Sequence, residues 1–251
     1  MLDEVCRLAR LAGQAVMAVY AQPITVRAKT DHSPVTQADE EAEALIIDGL
    51  SRLTPQIPIV AEEAVAAGRI PTLGERFWLV DPLDGTREFI DRNGEFTVNI
   101  ALIEHGKPTL GVVFAPALSQ TYSGVAGGPA TLQDSRGERE IRCRAVPPEG
   151  LTVVASRSHG DEAALQSFLA GRRVAGLRHA GSSLKLCLIA TGAADLYPRL
   201  GRTMEWDIAA GHAVLGAAGG RVCDLTGAEL RYGKAGFANP HFVATGEAQR
   251  A

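Results

Sequence analysis

The stretch that most limits what this chain can become is residues 77–90, FWLVDPLDGTREFI. The apolar run Phe77-Trp78-Leu79-Val80 reads as a buried strand that delivers Asp81 at its C-terminal end. Pro82 is expected to break that strand, Asp84 to sit on the turn, and Gly85-Thr86 to open the next segment. A carboxylate at the end of a buried strand is expensive to desolvate unless it faces a cation. Two carboxylates three residues apart on a rigid Pro/Gly turn form an oxygen-ligand site for a hard divalent cation. Asp, Pro and Gly also build ordinary surface turns, so the rest of the chain has to decide between the two.

Further acids fall at comparable places. Residues 57–61 read as a second buried strand, and it runs into Glu62-Glu63. Two neighbouring strands ending in acids bring Glu62, Asp81 and Asp84 to one rim. Thr36-Gln37-Ala38-Asp39 has the spacing of a capping box, with Leu45, Ile46, Leu50 and Leu53 as the apolar face behind it. Asp39 thus has a sufficient explanation as a first-turn acid favoured by the helix dipole. Asp207, early in an Ala-rich helix over 207–218, has the same one. Ser182 and Ser183 precede a helix that reaches Ile189, where they suit an N-cap or an anion. A strand over 194–200 carries Arg199.

Elsewhere the spacing predicts an amphipathic helix over 3–20, a short strand over 24–28 and a polar loop over 29–34. Strands over 96–104 and 109–116 are expected around a hairpin at 105–108, with a further antiparallel strand at 121–125. Residues 126–140, rich in Gly and charge, read as a hairpin or lobe boundary. A strand over 151–155, a helix over 161–169 and a strand over 173–179 follow. The expected organisation is an N-terminal α+β lobe over 1–140 with most of the acids and a C-terminal α/β lobe over 141–251.

A net charge of −4 argues against a nucleic-acid polymer partner, which would need a broad basic face, though not against a small phosphorylated substrate held by two or three local cations. The cysteines, Cys6, Cys143, Cys187 and Cys223, form no CxxC pair and read as free thiols of a reducing compartment. Asp3, Glu4, Arg7 and Arg10 at the start do not fit a signal peptide, and no run approaches a membrane span. A cytoplasmic protein is expected.

Glu62, Asp81, Asp84 and Asp207, with Asp39 a candidate fifth, are hard carboxylates from separate elements. That donor set suits two or three Mg²⁺ ions, which bind through a few carboxylates, waters and substrate phosphate. Such sites favour in-line displacement at phosphorus by an activated water. Thr86 is then placed to position the water, with Asp39 or Glu62 as proton acceptor. The haloacid-dehalogenase mechanism needs an Asp two residues before Asp84, where this chain has Pro82.

Asp39, Glu62-Glu63, Asp81-Pro-Leu-Asp84-Gly-Thr86 and Trp206-Asp207 together resemble the lithium-sensitive, Mg²⁺-dependent phosphatases of the inositol monophosphatase superfamily. The resemblance implies an α/β (α+β) fold, a layered αβαβα sandwich. It also implies that Glu62, Asp81, Asp84, Asp207 and the Leu83 carbonyl are metal ligands, with Asp39 and Thr86 the water-activating pair. Arg87-Glu-Phe-Ile, residues 93–103, Ser156-Arg-Ser-His159, Gly181-Ser-Ser-Leu-Lys185 and Leu196-Tyr-Pro-Arg199 are most similar to the CysQ-type 3′(2′),5′-bisphosphate nucleotidases. By that resemblance Gly85, Thr86, His159, Ser182, Lys185, Arg199 and Asp207 line a substrate pocket. The implied reaction is hydrolysis of 3′-phosphoadenosine 5′-phosphate to AMP and phosphate, with the 5′-phosphosulfate analogue a second substrate. An inositol- or fructose-bisphosphate-type phosphatase and a non-catalytic metal- or phosphate-binding protein stand as alternatives. Oligomeric state stays open, and the resemblance leaves room for peripheral association with an inner membrane.

Overall fold

In the computed structural model, residues 1–28, 34–157 and 161–246 are described. Helix α1 (Leu2–Tyr20) buries Val5, Leu8, Ala9, Ala12 and Val16, the residues at helical spacing in the sequence. It packs against α2 (Gln37–Leu53). The start of α2 is fixed by the expected capping box: the Thr36 amide donates to Asp39 Oδ2 at 2.7 Å, and Thr36 Oγ1 accepts from the Ala38 amide at 3.2 Å. Strands β1 (Arg27–Ala28) and β2 (Pro34–Val35) form a short antiparallel ladder before α2.

Helices α1 and α2 cover one face of a seven-stranded sheet. Its strands run in chain order: β3 (Ile59–Ala61), β4 (Arg76–Asp84), β5 (Thr97–Glu104), β6 (Lys107–Ala115), β7 (Gln120–Val125), β8 (Ala130–Asp134) and β9 (Gly137–Ile141). Only β3 and β4 pair parallel. The short helices α3 (Glu62–Ala66) and α4 (Thr86–Ile90) leave the C-terminal ends of those two strands.

A five-stranded sheet follows, in the order β11 (Val174–Ala180), β10 (Leu151–Ser156), β12 (Leu196–Arg199), β14 (Phe242–Thr245) and β13 (Arg221–Asp224). Helices α6 (Leu184–Ala190) and α7 (Glu205–Ala217) fill the space between the sheets, within one buried cluster that draws residues from both. Helix α5 (Glu162–Leu169) closes the far side, where Leu165, Phe168 and Leu169 pack on Leu151, Val153 and Leu196. The layers are therefore helix, sheet, helix, sheet, helix, as the resemblance implied. Among the described residues no helix is long and apolar enough to cross a membrane.

Because α7 is enclosed on two sides it is apolar nearly all round; Ile208, Ala209, Ala210, Ala213, Val214 and Leu215 are all buried. It approaches the first sheet closely because β6 and β7 present glycines to it. A Cβ on Gly111 would lie 2.3 Å from the Ala210 carbonyl oxygen, and one on Gly124 2.9 Å from Ala217 Cβ.

Some expectations need correction. Pro82 does not end β4; the strand continues to Asp84 across a register shift between Asp81 and Asp84. Proline is tolerated there because the extra residue of a bulge makes no ladder hydrogen bond. The hairpin at 105–108 is only two residues long: His105 and Gly106 carry φ of 52° and 73°, the turn that matches strand twist, so Lys107 and Pro108 already belong to β6. The segment 126–140 is the β8–β9 hairpin of the first sheet. Strands β13 and β14, beyond residue 220, had no counterpart in the sequence reading.

The packing of α7 generates a paired test. Gly111→Ala forces a methyl group onto backbone and is expected to destabilise by about 1–3 kcal/mol, a melting-temperature drop of roughly 3–10 °C for a chain of this size. Gly216→Ala, on α7 itself but with nothing within 4 Å of the new atom, is expected to stabilise by about 0.5–1 kcal/mol. Thermal melts that rank the two the other way round would contradict the described seat of α7.

Candidate active site

Residues 81 and 84 of a regular strand would point to opposite faces of the sheet, since side chains alternate. Here Asp81 pairs with Asn99 and Asp84 with Thr97, so three steps on β4 match two on β5. That one extra residue turns both carboxylates to the same side, and both line a cavity of about 250 Å³. Glu62, the first residue of α3, reaches the same cavity because β3 lies parallel beside β4. Asp207 reaches it from the start of α7, where its Oδ2 accepts from the Met204 amide at 2.8 Å.

The turn out of β4 is tightly specified. The Leu83 amide donates to Asp81 Oδ1 at 3.0 Å. Gly85 holds φ at 91°, in the left-handed region that penalises any side chain, and a Cβ there would sit 3.3 Å from Glu88 Oε2. Thr86 Oγ1 lies 3.4 Å from Asp39 Oδ1 and 3.3 Å from the Leu83 carbonyl, so one hydroxyl is shared between two acceptors. Asp39 is 1% exposed, and its other oxygen is occupied by the capping box.

Opposite the acids stand the cations. Lys185 is 6% exposed; its Nζ donates to the Ser182 carbonyl at 2.5 Å and lies 5.5 Å from the Tyr197 ring centroid. Arg199 lines the cavity from β12, and its Nη2 donates to the Arg202 carbonyl at 2.8 Å. Ser182 carries φ of 44°, and its Oγ is buried without a hydrogen-bond partner among the described residues. Ser183 sits at the N-cap of α6 yet makes no side-chain cap; its hydroxyl donates to the Asp207 carbonyl at 2.5 Å. The N-cap alternative read from the sequence is therefore not realised by either serine side chain, and through Ser183 the turn ties α6 to α7, with Ser182 lining the cavity. His159 lies outside the described residues.

Asn99 was missed by the sequence reading, although an amide inside the apolar run TVNIALI was a usable signal. It is buried, and its Nδ2 donates to Ser183 Oγ at 2.9 Å and, more weakly, to Asp84 Oδ2 at 3.4 Å. Glu88 and Thr203, which also line the cavity, were missed too.

Burial sets the electrostatics. Desolvation raises the Asp84 carboxyl; Lys185 pulls it back, while Glu88 and Glu62 push it further up. Asp207 is raised by desolvation first and then by repulsion from Asp84 and Glu62. Lys185 is lowered to about 8 by its own burial, despite the attraction of Asp84. The interior thus holds more acid than its own cations neutralise, and a hard divalent cation fits that donor set. Among the described residues no three acidic, His or Cys groups close into a ready-made cage. Mg²⁺ does not need one, because it keeps several waters and binds through few carboxylates.

Comparison with known proteins gives a consistent picture. The model of the family described as "Inositol monophosphatase family" matches residues 1–250. The 3′(2′),5′-bisphosphate nucleotidase CysQ of Escherichia coli (strain K12) is 51% identical over 245 residues, covering 96% of this chain and 98% of that one. The protein of the same name from Haemophilus influenzae is 31% identical over 98% of this chain and 93% of its own. Among solved structures, CysQ from Bacteroides thetaiotaomicron superposes with a TM-score of 0.83 at 34% identity, covering 99% and 97% of the two chains. An IMPase of Thermotoga maritima gives 0.81 at 30% identity, covering 97% and 91%.

The raised Asp207 carboxyl predicts a pH signature in metal-free protein. Its folded-state pKa lies above the ordinary value of 3.8, so between pH 4 and neutrality the folded chain binds more protons than the unfolded one. Stability contributed by this group therefore falls as pH rises through that window. In chelator, Asp207→Asn is expected to melt about 2–4 °C above the parent at pH 7.5, with the gap closing near pH 5. Equal melting temperatures at pH 7.5 would show that the buried carboxylate is not a source of strain.

Proposed function

Because the chain belongs to the inositol monophosphatase family, we propose that this cavity hydrolyses 3′-phosphoadenosine 5′-phosphate to AMP and phosphate. The observation that carries the substrate is the pairing, across one cavity, of an acidic wall with a buried Lys185 and an Arg199. A monophosphate needs one anion site beside its metal; a bisphosphate needs a second, and a guanidinium fork suits phosphate oxygens. Relatives about half identical over nearly their whole length, named as 3′(2′),5′-bisphosphate nucleotidases, support the same reading.

Members of this family are metal-dependent phosphatases. In the proposed site Glu62, Asp81, Asp84, Asp207 and the Leu83 carbonyl would hold two or three Mg²⁺ ions. When bound, the metal supplies positive charge that activates a water and stabilises the leaving oxygen. Thr86 donates its hydroxyl proton toward Asp39, which leaves its lone pairs facing the cavity to orient the water. The water's proton would pass to Thr86 Oγ1 as that hydroxyl's own proton passes to Asp39 Oδ1, the carboxylate oxygen that Thr36 leaves open. Lys185, Ser182 and Arg199 hold the phosphate that is not cleaved. Four free cysteines suit a cytoplasmic enzyme.

Phosphate release with Mg²⁺ on 3′-phosphoadenosine 5′-phosphate, inositol 1-phosphate and fructose 1,6-bisphosphate at equal concentration tests the assignment. A clear preference for the nucleotide is expected; preference for a sugar phosphate overturns the roles given to Lys185 and Arg199. Asp84→Asn is expected to reduce turnover by at least about 10²-fold through lost metal binding. Arg199→Glu is expected to reduce kcat/KM for the bisphosphate by about 10²-fold and to leave a monophosphate much less affected. Lithium is expected to inhibit at Mg²⁺ concentrations that support activity, and full resistance would count against the proposed metal chemistry.

A further inference from the structure

The loop between α4 and β5 and the turn before α6 belong to different halves of the chain, and they meet at Glu95. Its own amide is held by Asn93 Oδ1 at 2.9 Å, so the side chain leaves a fixed backbone. Glu95 Oε2 accepts from the Gly181 amide at 2.8 Å and from Arg157 Nε at 2.8 Å, and Oε1 accepts from Arg157 Nη2 at 2.8 Å. Arg157 Nη2 also donates to the His179 carbonyl at 3.1 Å. A paired, bidentate guanidinium–carboxylate contact of this kind fixes direction as well as distance. Arg157 also holds the Glu95 carboxyl below its usual range, so the pair stays charged across the working pH of an enzyme.

The two loops touch without room to spare. A Cβ on Gly181 would lie 2.6 Å from the Glu95 carbonyl oxygen and 2.8 Å from Glu88 Cγ. The next residue, Ser182, is in the left-handed region, and that unfavourable conformation aims its carbonyl at Lys185 Nζ. On the other side of the contact, Gly85 lies against Ser182 and Glu88. The Glu95 contacts thus hold the Gly181 end of the turn bearing Ser182, and the anchor of Lys185, against the turn bearing Asp84 and Thr86, while Ser183 fastens the other end.

We propose that Glu95, clamped by Arg157, is a positioning residue that sets the spacing between the cleaved-phosphate and retained-phosphate ends of the cavity, and so the preference for a bisphosphate. This rests on the function proposed above. Loss of the clamp leaves β4 and its carboxylates in place, because their own supports lie within β4, α2 and β5. It loosens the Gly181–Ser182 side of the turn, and with it the carbonyl that anchors Lys185, while Ser183 stays tied to Asn99 and to the Asp207 carbonyl. Small displacements of positioning groups have large kinetic effects.

The test is steady-state phosphate release by the full chain with Mg²⁺ on 3′-phosphoadenosine 5′-phosphate, with adenosine 3′-phosphate as the comparator that lacks the second phosphate. Glu95→Ala is expected to raise KM for the bisphosphate about tenfold or more, with kcat and the comparator's kcat/KM within about threefold. Glu95→Gln keeps an oxygen for the Gly181 amide but loses the charge facing Arg157, and is expected to fall between parent and Glu95→Ala; it also serves if the alanine variant does not fold. Arg157→Ala is expected to match Glu95→Ala, and the double variant to be no worse than either single one. Equal losses on both substrates, or additive effects of the two changes, would assign Glu95 a general structural role and overturn the proposal. A parent that prefers the bisphosphate while the variants' KM does not move overturns the clamp alone. A parent with no such preference overturns the functional reading instead.

Discussion

Buried carboxylates are the least comfortable groups in this molecule, and most of the local structure around residues 81–99 exists to hold them. Asp81, Asp39 and Glu88 are each under 5% exposed, yet among the described residues only Lys185 offers a comparably buried cation. Backbone amides and neutral side chains make up part of the difference. Leu83 donates to Asp81, Thr36 to Asp39, Met204 to Asp207, and Asn99 to Asp84. These donors soften the desolvation without cancelling it, which is why Asp84 and Asp207 remain above the usual carboxylate range. A fold that keeps such groups trades stability for the ability to capture positive charge and an anion together.

The device that makes this possible is small. One additional residue in β4 lets carboxylates three positions apart share a face, which no regular strand allows. The proline that the sequence reading took as a strand breaker occupies that very irregularity. Glycine at 85 then lets the chain reverse into α4 with a positive φ, placing Thr86 beneath Asp39. Side-chain chemistry at the rim is therefore dictated by backbone irregularity in a strand whose other residues are ordinary core.

This explains what could and could not be read from the amino acids. The helices α1 and α2, the β4–β5–β6 meander and the acids at its rim were legible, because periodicity and capping chemistry are local signals. The structure brings Glu62, Asp81, Leu83, Asp84, Gly85, Thr86, Ser182, Lys185, Arg199 and Asp207 to one cavity, with Asp39 behind Thr86. The continuation of β4 past Pro82 was not legible, since a bulge is decided by the pairing partner and not by the strand itself. The fate of Ser183 was likewise hidden: a serine before a helix predicts a cap, and only tertiary packing turns it toward the Asp207 carbonyl. Strands β13 and β14, four residues each, had no counterpart in the sequence reading. Asn99 alone was a fair signal left unused.

The position of α7 ties these points together. The same helix that fills the space between the sheets, pressed onto Gly111 and Gly124, carries Asp207 at its first turn. Its carbonyl at Asp207 is fastened through Ser183 to Asn99, and thereby to the strand beside β4. A shift of α7 against the first sheet moves an acid of the cavity by the same amount, since the helix is rigid and its packing partners are backbone atoms. Precision at the rim is thus inherited from the core, and the glycines of β6 and β7 act on the site at a distance. The turn at 181–183 shares that fastening at its Ser183 end, which is buried. Its Gly181 end is held in addition by a charge pair at the surface of the contact, Glu95 with Arg157. Beside the cationic wall, the turn that anchors Lys185 is therefore held by packing at one end and by electrostatics at the other, and the second hold is the one open to adjustment without disturbing the fold.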